Sequence, residues 1–243
     1  MVYKNTPMKN TNIYAVVIFV YYAVLIIFHM MVARVFRSKK LVEYVHRKYI
    51  YHLSKSILNV LNVEVVVQGN WPKNETVHMV MSNHVSLLNI FVIGYALNGR
   101  PVTAVSKLSN FFIPFFGLGM YMLFVRPMRR NKKDPAGDRK RIRKVFDTCK
   151  NYNLDLLFFP EGTRTTDGNL GKFKNGGFEL AFIEDVPIVP IAMRGLYEVN
   201  NKNTWMNVLP GRVTVIIGDP VQPSDFGSFL ELKDFLYRTM NEL

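Results

Sequence analysis

From Ile13 to Ala33 the chain runs 21 residues without an Asp, Glu, Lys or Arg. As a helix this stretch rises about 30 Å, the thickness of the hydrocarbon core of a bilayer. Its apolar character extends all round rather than along one stripe, which favours lipid over the core of a soluble domain. A secretory signal fits poorly, because the run is long and no small-x-small cleavage site follows it. Arg34, Arg37, Lys39, Lys40, Arg47 and Lys48 come after the run, against Lys4 and Lys9 before it. That excess assigns the downstream side to the cytoplasm. Spanning once and lying in one leaflet both satisfy the pattern.

The remainder reads as one α/β domain. A boundary near residue 62 separates N-terminal anchoring helices (1–62) from a domain over 63–243. Residues 34–62 have helical spacing, with Val42, Val45, Tyr49, Leu53, Ile57 and Leu61 recurring on one side. Short apolar runs at 63–67, 77–82, 102–106, 156–159, 186–193 and 213–217 read as strands. Helices are expected over 87–97 and 139–150, from Gly176, and from about Ser228. In the second of these, Ile142, Val145, Phe146 and Cys149 share a face, and Asp138 stands where an N-cap would. Phe111 to Val125, broken by Pro114 and Gly117, reads as an interrupted helix or an apolar wall. Strands alternating with helices predict a mostly parallel central sheet flanked by helices.

The formal net charge is +13, which fits an anionic membrane surface or nucleic acid. No RNA-binding aromatic motif or zinc-finger spacing is present, so membrane is the better partner. Between Arg126 and Lys150 stand eleven Lys and Arg residues, directly after the apolar wall. A solvated face accounts for such a run, as does a surface for anionic headgroups. The single Cys149 excludes a disulfide within the chain.

Chemistry concentrates at two expected strand ends. Leu156–Phe159 is stopped by Pro160 and Gly162, presenting Glu161, Thr163 and Arg164 where open α/β sheets bind ligands. Met79–Ser82 runs into Asn83-His84. An imidazole beside an acid and a guanidinium suits chemistry on an anionic substrate. Imidazole titrates near neutral pH and makes His84 the candidate general base.

These residues resemble the glycerolipid acyltransferases, above all the lysophosphatidic acid acyltransferases. Phe159-Pro160-Glu161-Gly162-Thr163-Arg164 matches the family's third motif unaltered, followed by Phe173-Lys174-Asn175-Gly176 as its usual continuation. Val186-Pro187-Ile188-Val189-Pro190 is similar to the fourth. The first motif, Asn-His, four residues, then Asp, departs at its last position, where Asn89 stands.

The resemblance implies a membrane-bound O-acyltransferase. It would pass a fatty acyl group from acyl-CoA or acyl-carrier protein to the free hydroxyl of lysophosphatidic acid, or of another lysophospholipid, with no metal or cofactor. It implies catalysis by His84 with the residue at position 89. Arg164 would bind the acceptor phosphate, with Lys107 and Arg126 as further candidates. Glu161 would orient Arg164 or the turn, and Gly162 and Thr163 complete the binding loop. Asn89 leaves four readings: an engineered inactivating change, an enzyme working with asparagine, a non-catalytic relative that binds lipid, or a neutral helix residue of no consequence, which the motif spacing disfavours. On the family pattern, Asn89→Asp is expected to raise turnover, because a carboxylate stabilises the imidazolium formed in the transition state.

Overall fold

The structure is a computed structural model and describes residues 11–73, 76–128, 135–204 and 207–243. Lys4, Lys9, Arg129, Arg130, Lys132 and Lys133, all counted in the charge argument, lie outside the described residues.

The apolar N-terminal run forms α1, Thr11–Val35. Ala23, Ile26, Met30 and Ala33 are buried at helical spacing, while Val17, Tyr21, Val24 and Phe28 on other faces are exposed. One stripe of α1 therefore packs on protein, and most of its circumference does not. The helical reading over 34–62 holds as one unbroken run from Lys39 to Val60, made of α2 (Lys39–Tyr44), one π-helical turn (Val45–Ile50) and α3 (Tyr51–Val60). Ser38 caps α2 by accepting the Leu41 N–H. The buried His46 lies on the π turn and contacts the Val102 carbonyl of the sheet at 3.0 Å.

Next come β1 (Val63–Gln68), β2 (Met79–Ser82), α4 (Asn89–Ala96) and β3 (Val102–Lys107). A 3-10 turn over Leu108–Phe112 leads into α5, Phe116–Met122. A short strand that the sequence did not reveal, β4 (Arg126–Met128), then pairs with β3. Its Pro127 is tolerated because β4 is the edge of the sheet. α6 spans Pro135–Tyr152, beginning earlier than expected. Pro135 opens it, so Asp138 lies inside the first turn rather than at the N-cap. The chain ends with β5 (Asp155–Phe158), α7 (Asn175–Ile183), β6 (Ile188–Arg194), α8 (Leu196–Val199), β7 (Gly211–Ile217) and α9 (Phe229–Glu242). Ser228 caps α9 by accepting the Glu231 N–H.

The seven strands form one sheet in the order β1-β7-β6-β2-β5-β3-β4. Pairing is parallel throughout except between β6 and β7. The central strands β2, β5 and β6 are apolar on both faces, as a sheet covered by helices on both sides requires. Where β2, β3 and β5 begin, the buried Asp155 accepts the His78 N–H at 2.8 Å and pairs with Arg100. That pairing clamps the rim opposite the strand ends that carry the candidate site.

A second apolar surface adjoins α1. Phe112, Ile113, Phe115, Leu118 and Tyr121 are exposed on the 3-10 turn and α5. Phe116 meets Phe19 of α1, with ring centroids 6.0 Å apart. Arg34, in the last turn of α1, donates to the Tyr121 and Met122 carbonyls and ties the two helices together.

Candidate active site

β2 and β5 are neighbours in the sheet, with Met81 opposite Phe158, so their carboxyl ends lie about 4.8 Å apart. The chain leaving β2 carries Asn83 and His84, and the chain leaving β5 carries Phe159 to Arg164. These two segments are braced to one another. The Glu161 carboxylate accepts the His84 backbone N–H at 2.7 Å and the Gly171 N–H at 2.9 Å. The His84 carbonyl accepts the Thr165 N–H at 2.8 Å. The Phe159 ring stacks under the His84 imidazole, with centroids 4.3 Å apart and planes 18° from parallel.

Glu161 is 4% exposed. Burial holds its carboxyl above the usual carboxylate range, against the N–H donors of His84 and Gly171, which pull it down. Both carboxylate oxygens are thus occupied in holding backbone. Gly162 closes the turn, its N–H donating to the Phe159 carbonyl at 3.0 Å, with φ +69°. A side chain is strained at that φ, so glycine belongs there. Thr163 is exposed beside it. Arg164 is half-buried, and its Nη1 is a buried nitrogen without a hydrogen-bond partner among the described residues. A buried guanidinium N–H left unpaired is able to donate to an anionic oxygen.

The first-motif turn is tightly bonded. The Asn83 side chain accepts the Met193 N–H at 2.8 Å and donates to the Met193 carbonyl at 3.0 Å. Ser86 Oγ donates to Asn200 Oδ1 at 2.5 Å and accepts the Leu88 N–H at 3.0 Å. Asn89, at the start of α4, is fully buried, and its Oδ1 lies 3.4 Å from His84 Nδ1. The structure thus brings His84, Asn89, Glu161, Gly162, Thr163 and Arg164 to one pair of strand ends.

Lys107 and Arg126 stand further out. Lys107 is exposed at the end of β3, two strands from β2. Arg126 is on β4, three strands from β2 or about 14 Å at the usual strand spacing. Its guanidinium turns to the Tyr121 and Val125 carbonyls and lies over the Tyr121 ring. Asn83, Ser86, Phe159, Met193 and Asn200 support the site although the sequence assigned them no such role. Asn83 stood inside a recognised motif; Met193 and Asn200 carried no local signal.

A family model described as acyltransferase matches residues 62–194. The chain belongs to the acyltransferase family. Among similar curated proteins is the chloroplastic 1-acyl-sn-glycerol-3-phosphate acyltransferase LPAT1 of Arabidopsis thaliana. It is 31% identical over 183 residues, which cover 73% of this chain and 50% of that protein. The chloroplastic 1-acyl-sn-glycerol-3-phosphate acyltransferase BAT2 of Brassica napus is 34% identical, covering 65% of this chain and 45% of its own length. The 1-acyl-sn-glycerol-3-phosphate acyltransferase of Pseudomonas aeruginosa is 32% identical, covering 65% and 60%. This acyltransferase spans about half the length of the first two of these relatives. Its fold is similar to the crystal structure of the 1-acyl-sn-glycerophosphate (LPA) acyltransferase PlsC from Thermotoga maritima. The TM-score is 0.80 at 27% identity, over 96% of this chain and 90% of that one.

Proposed function

We propose that this acyltransferase moves a fatty acyl group from an acyl thioester to the free hydroxyl of lysophosphatidic acid, giving phosphatidic acid. The observation that carries this reading is the pairing of His84 with the unpartnered Nη1 of Arg164 at adjacent strand ends. Nε2 of His84 takes the hydroxyl proton as the oxygen attacks the thioester carbonyl. The tetrahedral intermediate then expels the thiolate, and the proton on His84 neutralises it. Arg164 holds the acceptor phosphate, with Lys107 adding charge at the neighbouring strand end.

No acyl-enzyme enters this scheme. Cys149 is buried in α6, and burial pushes its thiol far above the range in which thiolate forms. The donor is an acyl-CoA or an acyl-carrier protein. The outward side of α1, with the apolar surface of the 3-10 turn and α5, sits in lipid, and the α/β domain faces the cytoplasm. These readings draw support from the exposed Val17, Val24, Phe28 and Phe112, and from the basic residues that follow α1.

The purified 243-residue chain in mixed micelles with lysophosphatidic acid tests the proposal. Thiol release and phosphatidic acid formation are followed with acyl-CoA and with acyl-carrier protein as donors. His84→Ala is expected to abolish both. Arg164→Ala is expected to lose about 1.5–3 kcal/mol of acceptor use, read chiefly in the acceptor KM. No phosphatidic acid with either donor removes the proposal, and product formed only from another lysophospholipid reassigns the acceptor.

A further inference from the structure

The family pattern has an acid where this chain has Asn89, and the surroundings of that amide decide what it does. Oδ1 accepts the Val85 N–H at 3.0 Å and the Ser86 N–H at 2.6 Å, and faces His84 Nδ1 at 3.4 Å. Nδ2 donates to the Asn83 carbonyl at 3.0 Å and lies 3.4 Å from Met193 Sδ. Turning the amide over would set NH2 against two backbone N–H groups and an oxygen against a carbonyl. The orientation is therefore fixed by its neighbours.

With Oδ1 aimed at it, His84 Nδ1 meets an acceptor that has no proton to give. The ring must carry its own proton there, which leaves Nε2 with a lone pair. A carboxylate in this place fits less well. One oxygen would inherit the contacts of Oδ1, and the other would take the place of Nδ2, about 3.0 Å from the Asn83 carbonyl oxygen. That carbonyl cannot swing aside easily, because the Asn83 side chain is locked to the Met193 backbone at both ends. Position 89 is fully buried, so water cannot relieve the mismatch.

We infer that Asn89 is a positioning residue to which the turn is fitted as an amide: it fixes His84 in its Nδ1–H form, with Nε2 as the proton acceptor, and an aspartate in its place is mismatched. This reverses the expectation drawn from the family pattern that Asn89→Asp raises turnover. The tautomer does not depend on the proposed reaction, whereas the kinetic consequence rests on it.

The test has two arms. The unsubstituted 243-residue chain, labelled with 15N in its histidine rings and held in detergent micelles, is examined at a pH where imidazole is neutral. The His84 signals are identified by their loss in His84→Gln. The proton is expected on Nδ1, and a proton on Nε2 overturns the inference. In the second arm, Asn89→Asp is expected to lower kcat about ten-fold at unchanged acceptor KM. The acid limb of its kcat–pH profile is expected at higher pH than in the native chain, because a nearby negative charge raises an imidazole pKa. Folded Asn89→Asp protein turning over as fast as the native chain, or faster, overturns the inference. If that variant does not fold, the ring-proton measurement on the native chain still decides. If the native chain shows no acyl transfer, the proposed function fails while the tautomer result stands or falls by itself.

Discussion

Asn83 and Met193, 110 residues apart in the chain, exchange two hydrogen bonds: side-chain amide to backbone N–H at 2.8 Å and to backbone carbonyl at 3.0 Å. The pair copies one rung of a β-ladder with a side chain. It extends the contact between β2 and β6 past the last strand residue, Ser82, and delivers His84 in a set direction.

Asn83→Ala removes both bonds and leaves the backbone N–H and carbonyl of the buried Met193 unpaired on that side. A stability loss of about 1–3 kcal/mol is expected. Turnover is expected to fall ten-fold or more on the order of 1.4 kcal/mol, with acceptor KM little changed, because the base is misplaced while the phosphate site stays intact. Melting curves and steady-state kinetics on the same preparation check this.

Glu161 makes stability depend on pH. Burial raises its folded-state pKa above the unfolded value, so the fold takes up a proton more readily than the unfolded chain. Its contribution is then fully present below about pH 4.3 and is lost as pH rises through the folded value. Glu161→Gln abolishes that slope and sets an amide NH2 against one of two backbone N–H donors. The variant is expected to be less stable by about 1–3 kcal/mol. The gap to the native chain is expected to narrow between about pH 4 and pH 8. Denaturant titrations at both ends of that range measure it.

On α1, Val24 and Phe28 are exposed, at 51% and 56%, while Met30 and Ala33 are packed away. Replacing Val24 and Phe28 together with Glu is expected to release the protein from lipid vesicles without lowering its melting temperature in detergent. Replacing Met30 with Glu is expected to unfold it, since a carboxylate would then be buried without a partner. Vesicle flotation and thermal melting separate the two outcomes. Full retention of the double variant on vesicles at high salt would place the lipid contact elsewhere.

The central sheet was legible because β2, β5 and β6 are buried on both faces and read as unbroken apolar runs. The Pro160–Gly162 stop was legible because proline and glycine restrict the backbone in known ways. β4 was not: three residues including Pro127 carry no period and become a strand only through β3 beside them. The π turn over Val45–Ile50 hides inside ordinary helical spacing. Of the site, His84, Asn89, Glu161 and Arg164 were found by motif. What Asn89 touches was not legible, since Met193 lies 104 residues away and Asn83, though near in the chain, is held in place by its own bonds to Met193. Arg126 matched by position in the motif order, yet its strand carries it to the sheet edge.

The cross-bracing of the two strand-end segments also bears on what they accept. The Glu161–His84 and Thr165–His84 bonds join the imidazole-bearing turn to the guanidinium-bearing turn at two backbone points. Neither can shift alone, so the gap from His84 to Arg164 behaves as a caliper with locked jaws. Under the proposed function, an acceptor laid across it would be judged by the span between its hydroxyl and its phosphate. On that proposal, acceptors differing only in fatty chain are expected to be used alike, and one whose headgroup is longer by a bond is expected to be used less well.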